Sequence, residues 1–164
     1  FFKQKTAYEI PKRDWSSDVC SSDLSGMDGA VLPEPSRAAD STSAIDFIID
    51  TVRANEGLWL VPTGPLTNIA LALTRAPDLA SRVAGISLMG GGRFGNRTPS
   101  AEFNIWLDPE AAATVFMCGA TITMAGLHLT HEFQASPARI AAVEASHVRG
   151  GSPLASLLRF FSKS

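Results

Sequence analysis

The chain has 164 residues, 45% of them hydrophobic and 18% charged, with a formal net charge of −2. That length suggests one domain, the apolar fraction excludes a disordered chain, and no apolar run approaches the roughly 20 residues that span a bilayer. The mild acidity argues against nucleic acid as a partner, and Cys20 and Cys118 are too few for a disulfide framework, so a cytoplasmic α/β protein with no membrane association is expected.

Residues 1–24 stand apart from the rest. Lys3, Lys5 and Lys12 lie within them, whereas beyond residue 24 the cations are nine arginines and Lys163 alone. The segment follows neither a helical nor a strand period and lacks the apolar stretch of a signal peptide. Lys3 to Ile10 and Asp14 to Leu24 can be back-translated, in one frame, into the constant parts of a short-read sequencing adapter. The residues between them leave a spacer the size of a sample index. A non-native, disordered tail is therefore expected over residues 1–24, with the native part over residues 25–164.

Within the native part, Ser41-Thr42 can cap a helix whose Ile45, Ile48, Ile49 and Val52 follow a 3.6-residue period up to Gly57. Leu58 to Val61 reads as a short buried strand. Thr63-Gly64-Pro65 turns the chain into a helix carrying Leu66, Ile69, Ala70 and Leu73, which stops before Pro77. Val83 to Met89 is a second buried strand and runs into Gly90-Gly91-Gly92. Asp108-Pro109-Glu110 opens a helix with an N-cap, a proline at the first helical position and an acid in the first turn. Cys118 is expected as a lone buried thiol ahead of a third strand, Thr121 to Ala125. Ser136-Pro137 starts a helix through Val148, and Pro153 to Phe161 reads as a last one. This alternation predicts βαβ units and a mostly parallel, Rossmann-like sheet with helices on both faces. Ligands then bind beyond the carboxyl ends of the strands, at Pro62 to Gly64, Met89 to Asn96, and Gly126 to His131.

Gly90 to Gly95 satisfies G-x-G-x-x-G literally, but a dinucleotide site needs a helix that starts within the motif. Asn96, Arg97, Thr98 and Pro99 prolong a loop instead, which favours a turn that brings the backbone close to a ligand. Asn96 with Ala101-Glu102-Phe103-Asn104 is more informative. Two amides and a carboxylate suit the hydroxyls of a sugar, because a carboxylate accepts while an amide both donates and accepts. Glu102 and Asn104 share a face only if this stretch is extended; capping and turn satisfaction are the alternative role for such residues.

V-P-T-G-P-L-T-N (61–68), L-M-G-G-G (88–92), G-N-R-T-P-S-A-E-F-N (95–104) and D-P-E-A-A (108–112) resemble the inosine-uridine-preferring nucleoside hydrolases. S-G-M-D-G-A (25–30) and G-L-H-L-T-H (126–131) extend the resemblance over essentially all of residues 25–164. It implies hydrolysis of the N-glycosidic bond of ribonucleosides to ribose and free base, in nucleoside catabolism, with a bound Ca²⁺. It further implies that the Thr63 main-chain carbonyl ligates Ca²⁺, and that Asn96 and Glu102 hold the ribose 5′-hydroxyl. Asn104 would meet the 2′,3′-diol, Met89 would line the ribose pocket, and a homo-oligomer is in keeping with the family.

The sequence also departs from that pattern. It contains no aspartate-rich D-x-D-P-G-x-D-D segment, which in the family supplies the general base and most carboxylate metal ligands, and no late His-Asp pair. A chain truncated at both ends, with no catalytic residue of its own and no turnover, is expected; the alternative is a non-catalytic nucleoside- or sugar-binding module. His128 stands where the family has Asp. His128 and His131, with Glu132, could suggest zinc, but a helical zinc pair uses i, i+4 spacing. His131 is expected as a structural hydrogen-bonding residue and His147 as a surface residue late in a helix.

Overall fold

A computed structural model describes residues 30–31, 43–146, 148 and 150–161. The expected tail over residues 1–24, the expected Ser41-Thr42 cap and His147 lie outside the described residues. These divide into two compact units, one of residues 43–132 and one of residues 133–161 together with residues 30 and 31.

The first unit opens with α1 (Ala44–Ala54), whose cap is Ser43: its hydroxyl accepts from the Asp46 amide at 3.2 Å. Ile49 and Val52 are buried, with Ile45 and Ile48 packed beside them, as the period predicts. The strand β1 (Trp59–Leu60) is shorter than expected and not buried, with Trp59 51% and Val61 63% exposed. Among the described residues it is one of the two edge strands of the order β1-β2-β3, with a neighbouring strand on one side only. Next come α2 (Thr67–Arg75) and α3 (Leu79–Arg82), then the central strand β2 (Gly85–Met89), in which Ile86 and Leu88 are fully enclosed. Beyond it lie α4 (Phe103–Leu107), α5 (Pro109–Phe116), β3 (Ile122–Ala125) and α6 (Leu127–Thr130).

Both strand pairings are parallel: Leu60 faces Ile86, and Ile86 to Met89 face Ile122 to Ala125 in register. All three strands therefore end on one edge, where α/β sheets bind ligands. Behind the sheet, α2 packs on α1 and α5, and Leu66, Leu73, Leu79, Leu88 and Val115 fill the core between them. Cys118 is half-buried, because it lies in the turn between α5 and β3 rather than inside the core.

In the second unit, α7 (Pro137–Ala145) is capped by Ser136, whose hydroxyl accepts from the Arg139 amide at 3.3 Å. It ends at Ala145, short of the expected Val148, because the Ser146 hydroxyl bonds the Val143 carbonyl at 2.6 Å and competes with the helix ladder. Its neighbour α8 (Gly151–Phe161) packs on it around buried Ile140 and Ala155. Pro153 falls in the first turn, where its missing N–H costs little. Among the described residues no helix is long and apolar enough to cross a membrane.

Candidate active site

Three hydrogen bonds stitch the strand-end loops together. The Met89 amide donates to the Pro62 carbonyl at 3.1 Å, the Gly90 amide to the Ala125 carbonyl at 3.3 Å, and the Leu127 amide to the Gly91 carbonyl at 2.7 Å. Thr63 follows Pro62 in this edge and is exposed. Met89 closes β2 and is half-buried.

Gly91 takes a φ of +65°, a left-handed turn that glycine adopts without penalty. That turn aims its amide at Glu102, whose Oε2 accepts it at 2.8 Å. The same carboxylate caps α4. Asn104 donates its backbone amide to both carboxylate oxygens at 3.0 Å, and Ile105 donates to Oε2 at 3.3 Å. Glu102 is only 4% exposed, and these amides supply what a buried carboxylate requires.

The helix α4 replaces the extended stretch in which Glu102 and Asn104 would share a face, and Glu102 takes the alternative role the sequence offers, that of a cap. A cap at Glu102 brings them together by another route, because the backbone turns between them. The buried Asn104 side chain donates from Nδ2 to the Met89 carbonyl at 3.1 Å and faces the Met89 sulfur at 3.3 Å. Its Oδ1 accepts no hydrogen bond from any described residue. Asn96, exposed in the loop, accepts the Phe103 amide on Oδ1 at 2.9 Å. Gly95 lets that loop close: a Cβ there would lie 2.2 Å from the Thr98 carbonyl oxygen and 2.3 Å from the Ala101 backbone. Met89, Asn96, Glu102 and Asn104 are thus linked through one hydrogen-bonded framework, and the Gly90–Gly92 turn leads into a loop, not into a helix, until Phe103. That disposes of the dinucleotide motif, which needs helical amides at the third glycine.

Two further links had no signal in a single sequence. The buried Thr67 hydroxyl donates to Asp108 Oδ2 at 2.5 Å, while Asp108 Oδ1 caps α5 by accepting the Ala111 amide at 3.0 Å. This bond joins the V-P-T-G-P-L-T-N and D-P-E-A-A motifs. His131 is exposed and rests its ring against Phe94, 5.8 Å between centroids, and its side chain does not make the expected structural hydrogen bond to any described residue. Its place at the end of the one-turn helix α6 turns the ring toward the glycine loop. His128, on α6, keeps a buried Nδ1 that has no hydrogen-bond partner among the described residues.

Among the described residues no three His, Cys, Asp or Glu side chains gather to hold a metal. Ca²⁺ takes about six to eight oxygen ligands, and the expected Thr63 carbonyl supplies one. The described residues do not by themselves fit that ion. What they do form is a partly buried, hydrogen-bonded set of amide and carboxylate groups at the strand-end edge of a parallel α/β sheet, groups whose chemistry is to donate to and accept from hydroxyls.

The sequence matches the family described as inosine-uridine preferring nucleoside hydrolase over residues 12–164, and the chain belongs to that family. It is 46% identical over 138 residues to the pyrimidine-specific ribonucleoside hydrolase RihA of Shewanella woodyi, covering 83% of this chain and 44% of that protein. An uncharacterized protein of Schizosaccharomyces pombe is 48% identical over 139 residues, covering 82% of this chain and 45% of its own. Among solved structures, the purine-preferring ribonucleoside hydrolase from Gardnerella vaginalis superposes with a TM-score of 0.79 at 36% identity, over 90% of this chain and 47% of that one. The plant nucleoside hydrolase PpNRh1 gives 0.73 at 34% identity, over 82% and 44%. The chain therefore spans about half the length of the relatives it matches.

Proposed function

We propose that the protein to which these residues belong hydrolyses the N-glycosidic bond of ribonucleosides, giving ribose and free base. The observation that carries this is the framework joining Met89, Asn96, Glu102 and Asn104 at the strand-end edge, in a chain of the nucleoside hydrolase family. Asn104, with an uncommitted Oδ1, accepts from the 2′,3′-diol. Asn96 and Glu102 hold the 5′-hydroxyl, and Met89 walls the ribose pocket. Such groups gain value as the sugar approaches an oxocarbenium-like transition state, where hydrogen bonds to its hydroxyls strengthen. Ca²⁺ is proposed for the intact protein, with the Thr63 carbonyl as one ligand. The names of the relatives divide between pyrimidine and purine nucleosides, so the proposal names the class, ribonucleosides.

These 164 residues alone are proposed to be without turnover, since the sequence has no D-x-D-P-G-x-D-D segment to furnish a base. The test is a base-release assay on this chain beside the protein encoded by the intact source locus. Turnover by the latter alone supports both statements; turnover by the short chain refutes the second. If the locus-encoded protein binds ribose calorimetrically but releases no base, the site is a non-catalytic sugar-binding module. Residues 1–24 are proposed to be translated adapter, although the family match reaches back to residue 12. Amplifying the locus and recovering that segment intact beside codon 25 ends this idea.

A further inference from the structure

We propose that Glu102 is a positioning residue for this site: its Oε2 ties the glycine loop after β2 to the first turn of α4 and so fixes the amide of Asn104. This rests on the hydrolase reading above. The two carboxylate oxygens are unequally engaged. Oε2 receives the Gly91, Asn104 and Ile105 amides at 2.8, 3.0 and 3.3 Å, whereas among the described residues Oε1 receives Asn104 alone at 3.0 Å. Oε2 is therefore committed to the protein, and Oε1 keeps an acceptor position for a ligand hydroxyl.

The consequence passes to Asn104 by two routes. Glu102 sets the backbone of Asn104 directly, and it fixes the loop that begins at Met89, whose carbonyl orients Nδ2 of the same amide. With Nδ2 so occupied, Asn104 presents an oxygen and acts as an acceptor. Alanine at position 102 removes every acceptor for these amides, aspartate is one methylene too short to reach both Gly91 and α4, and glutamine can still place one oxygen where Oε2 lies. Position 102 thus needs an acceptor at glutamate's reach for the geometry of its neighbour, whatever it gives the substrate itself.

The test uses the intact locus-encoded enzyme, its Glu102→Ala, Asn104→Ala and doubly substituted variants, and a ribonucleoside beside its 5′-deoxy analogue. We expect Glu102→Ala to lower kcat on the order of 100-fold on both substrates, the scale of a misplaced catalytic contact. The same substitution adds little to Asn104→Ala, since both disable one amide. In the 164-residue chain, amide exchange should quicken at Gly91, Asn104 and Ile105 in Glu102→Ala while Leu88 stays protected, which separates loosening of the clamp from unfolding. The proposal is overturned if the Glu102→Ala penalty vanishes on the 5′-deoxy substrate, if the two penalties multiply independently, or if exchange at Gly91 is unchanged. An intact enzyme that releases no base from any nucleoside refutes the hydrolase reading, and the exchange measurement still decides the clamp.

Discussion

Asp108 is where two distant motifs meet, and its removal should be costly in a calculable way. In Asp108→Ala, α5 loses the acceptor for the Ala111 amide, and Thr67, 8% exposed, loses the acceptor for its hydroxyl. Loss of an N-cap costs about 1 kcal/mol, and loss of a hydrogen bond to a charged group about 2 kcal/mol, so the variant should be destabilised by about 3 kcal/mol. Thr67→Val removes only the second contribution and should cost about 2 kcal/mol. In the Thr67→Val background, Asp108→Ala should then cost only the cap, about 1 kcal/mol, which is a coupling of about 2 kcal/mol between residues 41 positions apart. Urea unfolding followed by far-UV circular dichroism, with constant m-values, measures all four species. A cost for Asp108→Ala below about 0.5 kcal/mol, or strict additivity of the two substitutions, would mean that Thr67 and Asp108 are not coupled through this bond.

Three other predictions follow from particular contacts. Gly95→Ala should destabilise by about 2 kcal/mol, because the new methyl meets Thr98 and Ala101 backbone atoms that cannot yield without opening the loop; urea midpoints and faster exchange at the Asn96 amide check this. His128→Leu should be neutral or stabilising by up to about 1 kcal/mol, since it removes a buried ring nitrogen with no partner, and a loss above about 1 kcal/mol in the same urea assay contradicts it. Hydrogen bonds from Arg53 hold the Asp78 carboxyl below its ordinary value, and those from Arg159 do the same for Glu144. Their contribution is present above the unfolded value of about pH 4 and fades as pH falls through the lower folded one. The urea midpoint should therefore drop between pH 6 and pH 3, modestly because both groups are exposed, and less in Arg53→Met.

Much of the fold can be read from periodicity, because Ile49, Val52, Ile69 and Leu73 mark helix faces and Gly85 to Met89 is a strand with Gly85, Ile86 and Leu88 buried. The parallel topology follows from strands alternating with helices, and the observed register puts the three predicted strand ends on one edge. The helices α3, α4 and α6 escaped that reading, since four or five residues cannot display a 3.6-residue period. Capping is the alternative role the sequence offers for Glu102, and the structure bears it out; the sequence does not decide between the two roles because Ser, Thr, Asp and Asn are the residues expected at a cap and this cap is set by the Gly91 amide, eleven residues away. The Thr67–Asp108 bond is purely tertiary. The polar residues of the site were legible as a group, but not the framework that orients them, which depends on backbone amides common to every sequence.

The central claim, that these residues grip the ribose of a nucleoside during hydrolysis, is tested most directly by one comparison. The protein from the intact locus and its Asn104→Ala variant are assayed for free-base release from a ribonucleoside under single-turnover conditions. The unaltered protein should release base, and the variant should be slowed on the order of 100-fold with its urea midpoint nearly retained. Equal release by the two proteins would contradict that claim.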